Sequence, residues 1–174
     1  MYKRQYVKSN DTNESSRIYS TSNGGESWDI VGSGPATNII KGVVYVSSDV
    51  GFFCYDYVEG MDSNLYKTDD GGKTFAKVML EEQELDSSAA NPQGQETETK
   101  TDSGKNGADS SEQLRWGDVY KEALTPVVDS TGIITIYLTQ GKNAVYNDGK
   151  TAAKYQSSDK GSTWKYIGQV EIKD

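Results

Sequence analysis

The 174-residue sequence predicts an all-β chain built on three copies of one tight antiparallel hairpin. Three observations carry that expectation: an eight-residue template recurs, apolar residues near it alternate with a period of two, and turn-forming residues punctuate the chain. The template reads Ser/Thr, any residue, Asp/Asn, any, Gly, any, Ser/Thr, aromatic. It occurs first as Thr21, Asn23, Gly25, Ser27 and Trp28, and then as Thr68, Asp70, Gly72, Thr74 and Phe75. The last copy is Ser157, Asp159, Gly161, Thr163 and Trp164. Tyr19, Tyr66 and Tyr155 each stand two residues before a copy, and Val31, Val78 and Ile167 three residues after its aromatic.

Each template position has a physical task. The Asp or Asn at the bend can accept backbone N–H groups just beyond it. The Gly two residues later supplies a left-handed position that a side chain would strain. The chain then re-enters a strand, and Trp28, Phe75 and Trp164 are expected to point into a core, where aromatic burial dominates small β folds.

Taken in order, residues 1–32 hold strands over 2–8, 17–21 and 27–31, a partial first unit. Residues 33–80 form a second unit with strands over 37–41, 43–48 (52–57 continuing or following), 64–68 and 74–80. Residues 114–174 form the third, with strands over 120–128, 133–139, 152–157 and 163–167. Ile134, Ile136 and Leu138 alternate there with Thr135, Tyr137 and Thr139, as a half-buried strand requires. Gly42, the run Asp129 to Gly132, and Asn147-Asp148-Gly149 are the turns. No helix is expected.

Residues 81–113 are different. They contain no aromatic residue and no Val, Ile or Met, and carry nine acidic residues against Lys100 and Lys105. That is a net −7 out of the chain's −8. Such a tract cannot bury enough apolar surface to offset its ordering entropy, so it reads as a disordered acidic loop between two units. An acidic partner-binding segment is the alternative.

The template and its flanks resemble the Asp-box, or bacterial neuraminidase repeat, found in sialidases, some other glycosidases and sortilin-type receptors. Asn23 replaces Asp in the first copy and Phe75 replaces Trp in the second. The resemblance implies that each box links the last two strands of a four-stranded β-propeller blade, at the outer edge and away from the binding face. Gly25 and Gly72 lie 47 residues apart, close to one blade of ~40–50 residues. Gly72 and Gly161 lie 89 apart, and removing the 33-residue acidic tract leaves 56. The expectation is a partial β-propeller of about two and two-thirds blades. Closed propellers need four to eight. The chain is therefore expected to be a piece of a longer propeller, a truncated product or one part of an oligomeric ring. The resemblance favours an extracellular or cell-surface setting.

Composition narrows the chemistry. The chain has no histidine, which excludes Ser-His and Cys-His pairs and the common zinc sites. Its acidic balance argues against nucleic acid as a partner. No cofactor and no metal is expected; Asp69, Asp70 or Asp159 could hold Ca²⁺, but turn carboxylates that satisfy backbone N–H groups explain them. Neither a signal peptide nor a membrane span is legible. Cys54, the single cysteine, reads as a small buried residue. Asn10 and Asn13 open glycosylation-type triplets.

Sialidases use a Tyr nucleophile and three arginines that clamp the sugar carboxylate. This chain has three arginines, Arg4, Arg17 and Arg115, but lacks the Arg-Ile-Pro segment that the resemblance calls for. A complete hydrolytic set is not expected. Asp49, Tyr55, Tyr57, Trp116 and Asp118, with Phe52, Asp56 and Tyr120 beside them, are the candidates for a glycan groove. Aromatic faces flanked by carboxylates suit a sugar ring, although Tyr and Phe in strands also serve as β-formers. The function expected is that of a glycan-active propeller segment, glycoside hydrolase or glycan-binding. The alternatives are a noncatalytic, protein-binding scaffold of the sortilin type and a functionless remnant.

Overall fold

The computed structural model describes residues 4–8, 16–85, 115–141 and 146–172. It is all-β, with three antiparallel sheets following one another along the chain. Sheet 1 is β1 (Arg4–Lys8), β2 (Arg17–Thr21) and β3 (Asp29–Ser33), paired in that order. Sheet 2 is β4 (Ile40–Tyr45), β5 (Gly51–Tyr55), β6 (Leu65–Thr68) and β7 (Ala76–Lys77). Sheet 3 follows a one-turn helix α1 (Trp116–Val119). It comprises β8 (Glu122–Ala123), β9 (Val127–Val128), β10 (Ile134–Thr139), β11 (Thr151–Ser157) and β12 (Lys165–Glu171). β8 and β9 pair with opposite ends of β10, Ala123 against Leu138 and Val128 against Ile134.

Several expectations are corrected. The strand expected over 120–128 is split because Pro126 has no N–H to give the ladder. A helical turn stands at 116–119, where none was expected. The strand over 74–80 shrinks to Ala76–Lys77, although Val78 N still donates to Leu65 O at 2.9 Å. The strands read over 37–41 and 43–48 are one strand, β4.

The three template turns fold alike. In each, the first hydroxyl accepts the glycine N–H: Gly25 to Thr21 at 2.9 Å, Gly72 to Thr68 at 2.8 Å and Gly161 to Ser157 at 2.8 Å. In each, the Asx oxygen accepts the N–H of the second hydroxyl residue: Ser27 to Asn23 at 3.0 Å, Thr74 to Asp70 at 2.9 Å and Thr163 to Asp159 at 2.9 Å. Asp70 and Asp159 also accept the Thr74 and Thr163 hydroxyls at 2.5 and 2.6 Å. Asn23 reverses that last bond, its Nδ2 donating to Ser27 Oγ at 2.9 Å. The Thr74 and Thr163 hydroxyls, followed by their N–H groups, hold the Asp70 and Asp159 carboxyls well below the usual carboxylate range. These carboxylates are saturated by their own turns.

The core lies between sheets. β5 is buried along its whole length because alternate residues face different neighbours. Phe53 and Tyr55 face sheet 1 in a cluster with Ile18, Val31, Tyr66 and Phe75. Phe52 and Cys54 face sheet 3 with Leu65, Val78, Ala123, Ile134, Ile136 and Trp164. Of the three template aromatics expected in the core, Phe75 and Trp164 are half-buried against these clusters, whereas Trp28 is 40% exposed. Its Nε1 donates to Gly25 O of its own hairpin at 3.1 Å. Trp164 packs on Phe52 of the preceding sheet, and among the described residues no sheet precedes that of Trp28.

The acidic tract also needs correction at its start. Leu85 packs with Trp116, Tyr120 and Tyr155, and the Tyr155 hydroxyl donates to Glu81 O at 2.6 Å. Residues 81–85 therefore belong to the folded body. The rest of the loop expected there lies outside the described residues.

Candidate functional site

Sheet 2 runs up and down, so its first and third turns share one end. The Gly71 N–H confirms this by donating to Asp49 O at 2.8 Å, tying the β4–β5 turn to the template turn. The β5–β6 connection and the exit from β7 lie at the opposite end. There a cleft of about 500 Å³ opens between the 57–65 connection, residues 78–82 and the 115–123 segment leading into sheet 3.

The floor of the cleft is built for rigidity. Asn64, 1% exposed, bridges sheets 2 and 3. Its Nδ2 donates to Tyr55 O at 2.7 Å and Ala123 O at 2.9 Å, and its Oδ1 accepts Ala123 N–H at 2.9 Å. The Ser63 hydroxyl donates to Val78 O at 3.0 Å. Beneath them the Cys54 thiol donates to Ala123 O at 3.2 Å, and burial pushes it up to about 11. A thiol so placed is inert.

The walls carry the charge. Lys121 Nζ meets Glu59 Oε1 at 2.9 Å across the two sheets. Lys77 Nζ meets Asp62 Oδ2 at 2.6 Å. Arg115 Nε donates to Asp118 Oδ2 at 3.0 Å, and that bond holds the Asp118 carboxyl below the usual range. At neutral pH Asp118 is an acceptor. A general acid needs the opposite shift.

Of the five residues singled out for a glycan groove, Tyr57, Trp116 and Asp118 line this cleft, the first from the connection that leaves β5 and the other two from α1. Tyr57 is half-buried and Asp118 exposed. Trp116 is 4% exposed, its ring centroid 4.6 Å from Tyr120 and 5.3 Å from Tyr166, so it offers the cleft little surface. Tyr120 lines it too, its hydroxyl 2.9 Å from Thr151 Oγ1. Tyr55 and Phe52 are fully buried in the joints between sheets and have no face to offer a ligand. Asp49 lies at the template end, away from the cleft, and Asp56 is paired with Lys41 at 2.7 Å. Arg115 lines the cleft, whereas Arg17, on β2 of sheet 1, does not, so these two form no clamp there. Arg4 lies on β1 of the same sheet.

No family model, curated protein or solved structure matches the chain. Among the described residues, no helix is long and apolar enough to cross a membrane. Among them, too, no three His, Cys, Asp or Glu side chains group as metal ligands.

Sequence reasoning missed Asn64 and the Lys121–Glu59 bridge. Nothing local marks either pair: Asn64 and Ala123 are 59 positions apart, Glu59 and Lys121 62.

Proposed function

We propose that this chain is part of a β-propeller of Asp-box type that binds carbohydrate in the cleft opposite its template turns, without hydrolysing it alone. The observation that carries the reading is the convergence of Tyr57, from the connection after β5, and Trp116 and Asp118, from α1, on one cleft. A sugar presents C–H faces that lie on an aromatic ring and hydroxyls that donate to carboxylates such as Asp118. A concave site with few placed polar groups supplies both. Three successive antiparallel sheets with like-bonded template turns support the propeller. The lowered Asp118 carboxyl favours binding over acid catalysis. An extracellular or cell-surface setting goes with this reading.

Glycan-array screening followed by calorimetry tests it. Tyr57→Ala and Asp118→Asn should each weaken the best ligand about tenfold, or ~1.4 kcal/mol. Asp49→Ala, at the other end of the sheet, should leave affinity unchanged. No binding on the array, or equal loss from Asp49→Ala, rejects the cleft. A fluorogenic sialoside should show no turnover. The second reading, a noncatalytic protein-binding scaffold, is favoured by the apolar outer face of sheet 1, where Trp28 and Ile30 are exposed.

A further inference from the structure

The first template turn departs from the other two at one side-chain atom. Asp70 and Asp159 accept the Thr74 and Thr163 hydroxyls in short charge-assisted bonds of 2.5 and 2.6 Å. Asn23 can only donate at that point, its Nδ2 to Ser27 Oγ at 2.9 Å. The remaining bonds are common to all three. The first hydroxyl of each template donates to Oδ1 of the Asx residue, at 2.8 Å from Thr21, 2.9 Å from Thr68 and 2.7 Å from Ser157. The first turn is also the one in which an amide precedes glycine: Asn23-Gly24, against Asp70-Gly71 and Asp159-Lys160.

That pair is set for an intramolecular reaction of the amide. Asn23 and Gly24 are both exposed, so water reaches them. Gly24 has a left-handed φ of +78° and nothing within 4 Å of where a Cβ would stand, so its peptide is free to turn towards the Asn23 side chain. The Gly24 N–H makes no hydrogen bond to the described residues, whereas its counterpart on Gly71 is tied to Asp49 O. The side-chain carbonyl it would attack is polarised by two donors on Oδ1, the Thr21 hydroxyl at 2.8 Å and the Ser27 N–H at 3.0 Å. Donors aimed at an oxygen where negative charge develops lower the barrier to addition. The Ser27 hydroxyl, 2.9 Å from Nδ2, stands where a departing nitrogen takes up its proton.

We propose that Asn23 is a self-modification site, at which the Gly24 nitrogen closes on Asn23 Cγ and water then opens the ring to leave aspartate at position 23. The Gly24 N–Cγ bond forms as the Cγ–Nδ2 bond breaks. The proton of the Gly24 nitrogen passes through the Ser27 hydroxyl to the leaving nitrogen, which departs as ammonia. One water then adds to the cyclic imide, and nothing is oxidised or reduced. Addition at the side-chain carbonyl breaks the new N–Cγ bond and gives aspartate. Addition at the main-chain carbonyl gives an isoaspartyl link, with one more atom in the backbone. The turn selects the first, because the bonds from Gly25 N–H to Thr21 Oγ1 and from Ser27 N–H to the position 23 side chain fit normal backbone spacing. The new carboxylate then accepts the Ser27 hydroxyl, as Asp70 and Asp159 accept theirs, and the three turns become alike.

Peptide mapping by mass spectrometry of the folded full chain, aged in mildly alkaline buffer, tests this, with chromatography that separates aspartyl from isoaspartyl products. The peptide holding Asn23 should gain the mass of an amide-to-acid exchange, mainly as normal aspartate. Asn38 and Asn64, which no glycine follows, should stay amides. In urea the same peptide should give mainly the isoaspartyl form, because no turn selects the product. Gly24→Ala, which crowds the attacking nitrogen, and Ser27→Ala, which removes the proton relay, should each slow the conversion several-fold. Asn23→Asp should melt above wild type at neutral pH and lose that advantage in acid, where the carboxylate protonates and stops accepting. An Asn23 that stays an amide in the folded chain while converting in urea overturns the proposal. So does isoaspartate as the main folded product, or the same product mixture in urea. Wild-type rates in Gly24→Ala or Ser27→Ala overturn the route, and an Asn23→Asp chain that melts below wild type overturns the claim that the product completes the turn.

Discussion

Adding one methyl group at two glycines separates backbone strain from the packing of one sheet on another. Gly24 and Gly161 share a φ of +78°, yet a Cβ on Gly24 would meet nothing within 4 Å. A Cβ on Gly161 would come within 2.5 Å of Phe52 Cζ and 3.1 Å of Trp164 Cζ2. Alanine at a left-handed φ costs roughly 1–2 kcal/mol, and that is the whole expectation for Gly24→Ala. Gly161→Ala adds overpacking, roughly 1–3 kcal/mol. The Phe52 ring cannot swing aside cheaply, because it is fully buried and braced edge-on by Trp164. Equilibrium urea unfolding should therefore place Gly161→Ala about 1–3 kcal/mol below Gly24→Ala, with an unchanged m-value. Gly72→Ala, facing Ile18 at 3.1 Å, should fall between them. Equal losses at Gly24 and Gly161 would refute the claim that the third template turn seats on Phe52.

Asn64→Ala should orphan the buried Ala123 N–H and leave Ala123 O with the Cys54 thiol as donor, at about 1–3 kcal/mol for the lost N–H partner, measured by urea unfolding. A loss below about 1 kcal/mol would sink the bridging role. Acid should weaken the template turns. The folded-state values of Asp70 and Asp159 lie below the unfolded one, so their stabilisation is complete above about pH 4 and disappears as pH falls through the folded values. The doubly substituted Asp70→Asn, Asp159→Asn chain should lose less stability than wild type between pH 4 and pH 2 in thermal melts; an identical acid slope would contradict the carboxylate geometry. Deleting 87–113 with a short linker should leave the thermal midpoint nearly unchanged, whereas deleting 81–113 should lower it, because Tyr155 loses the Glu81 carbonyl and Leu85 leaves its cluster. Equal midpoints for the two deletions would count against that contact.

The sequence by itself determined the all-β class and the template turns. Every bond defining a turn, from Thr68 through Asp70 to Thr74, closes within a few residues, so local chemistry suffices to specify it. The period-two alternation of β10 was legible for the same reason: strand side chains alternate wherever one face is buried. The tertiary structure alone decided burial and the site. Trp28 and Trp164 hold the same template position, yet one is exposed and the other braces Phe52, because the pocket belongs to a different sheet. Tyr55 and Tyr57 are two residues apart, and only the second reaches the cleft, since the chain leaves β5 between them. The cleft joins the 57–65 connection to the 115–123 segment, which no local pattern relates. Contacts between remote segments depend on how whole sheets dock, and docking is set by the summed packing of their faces rather than by any stretch of neighbouring residues.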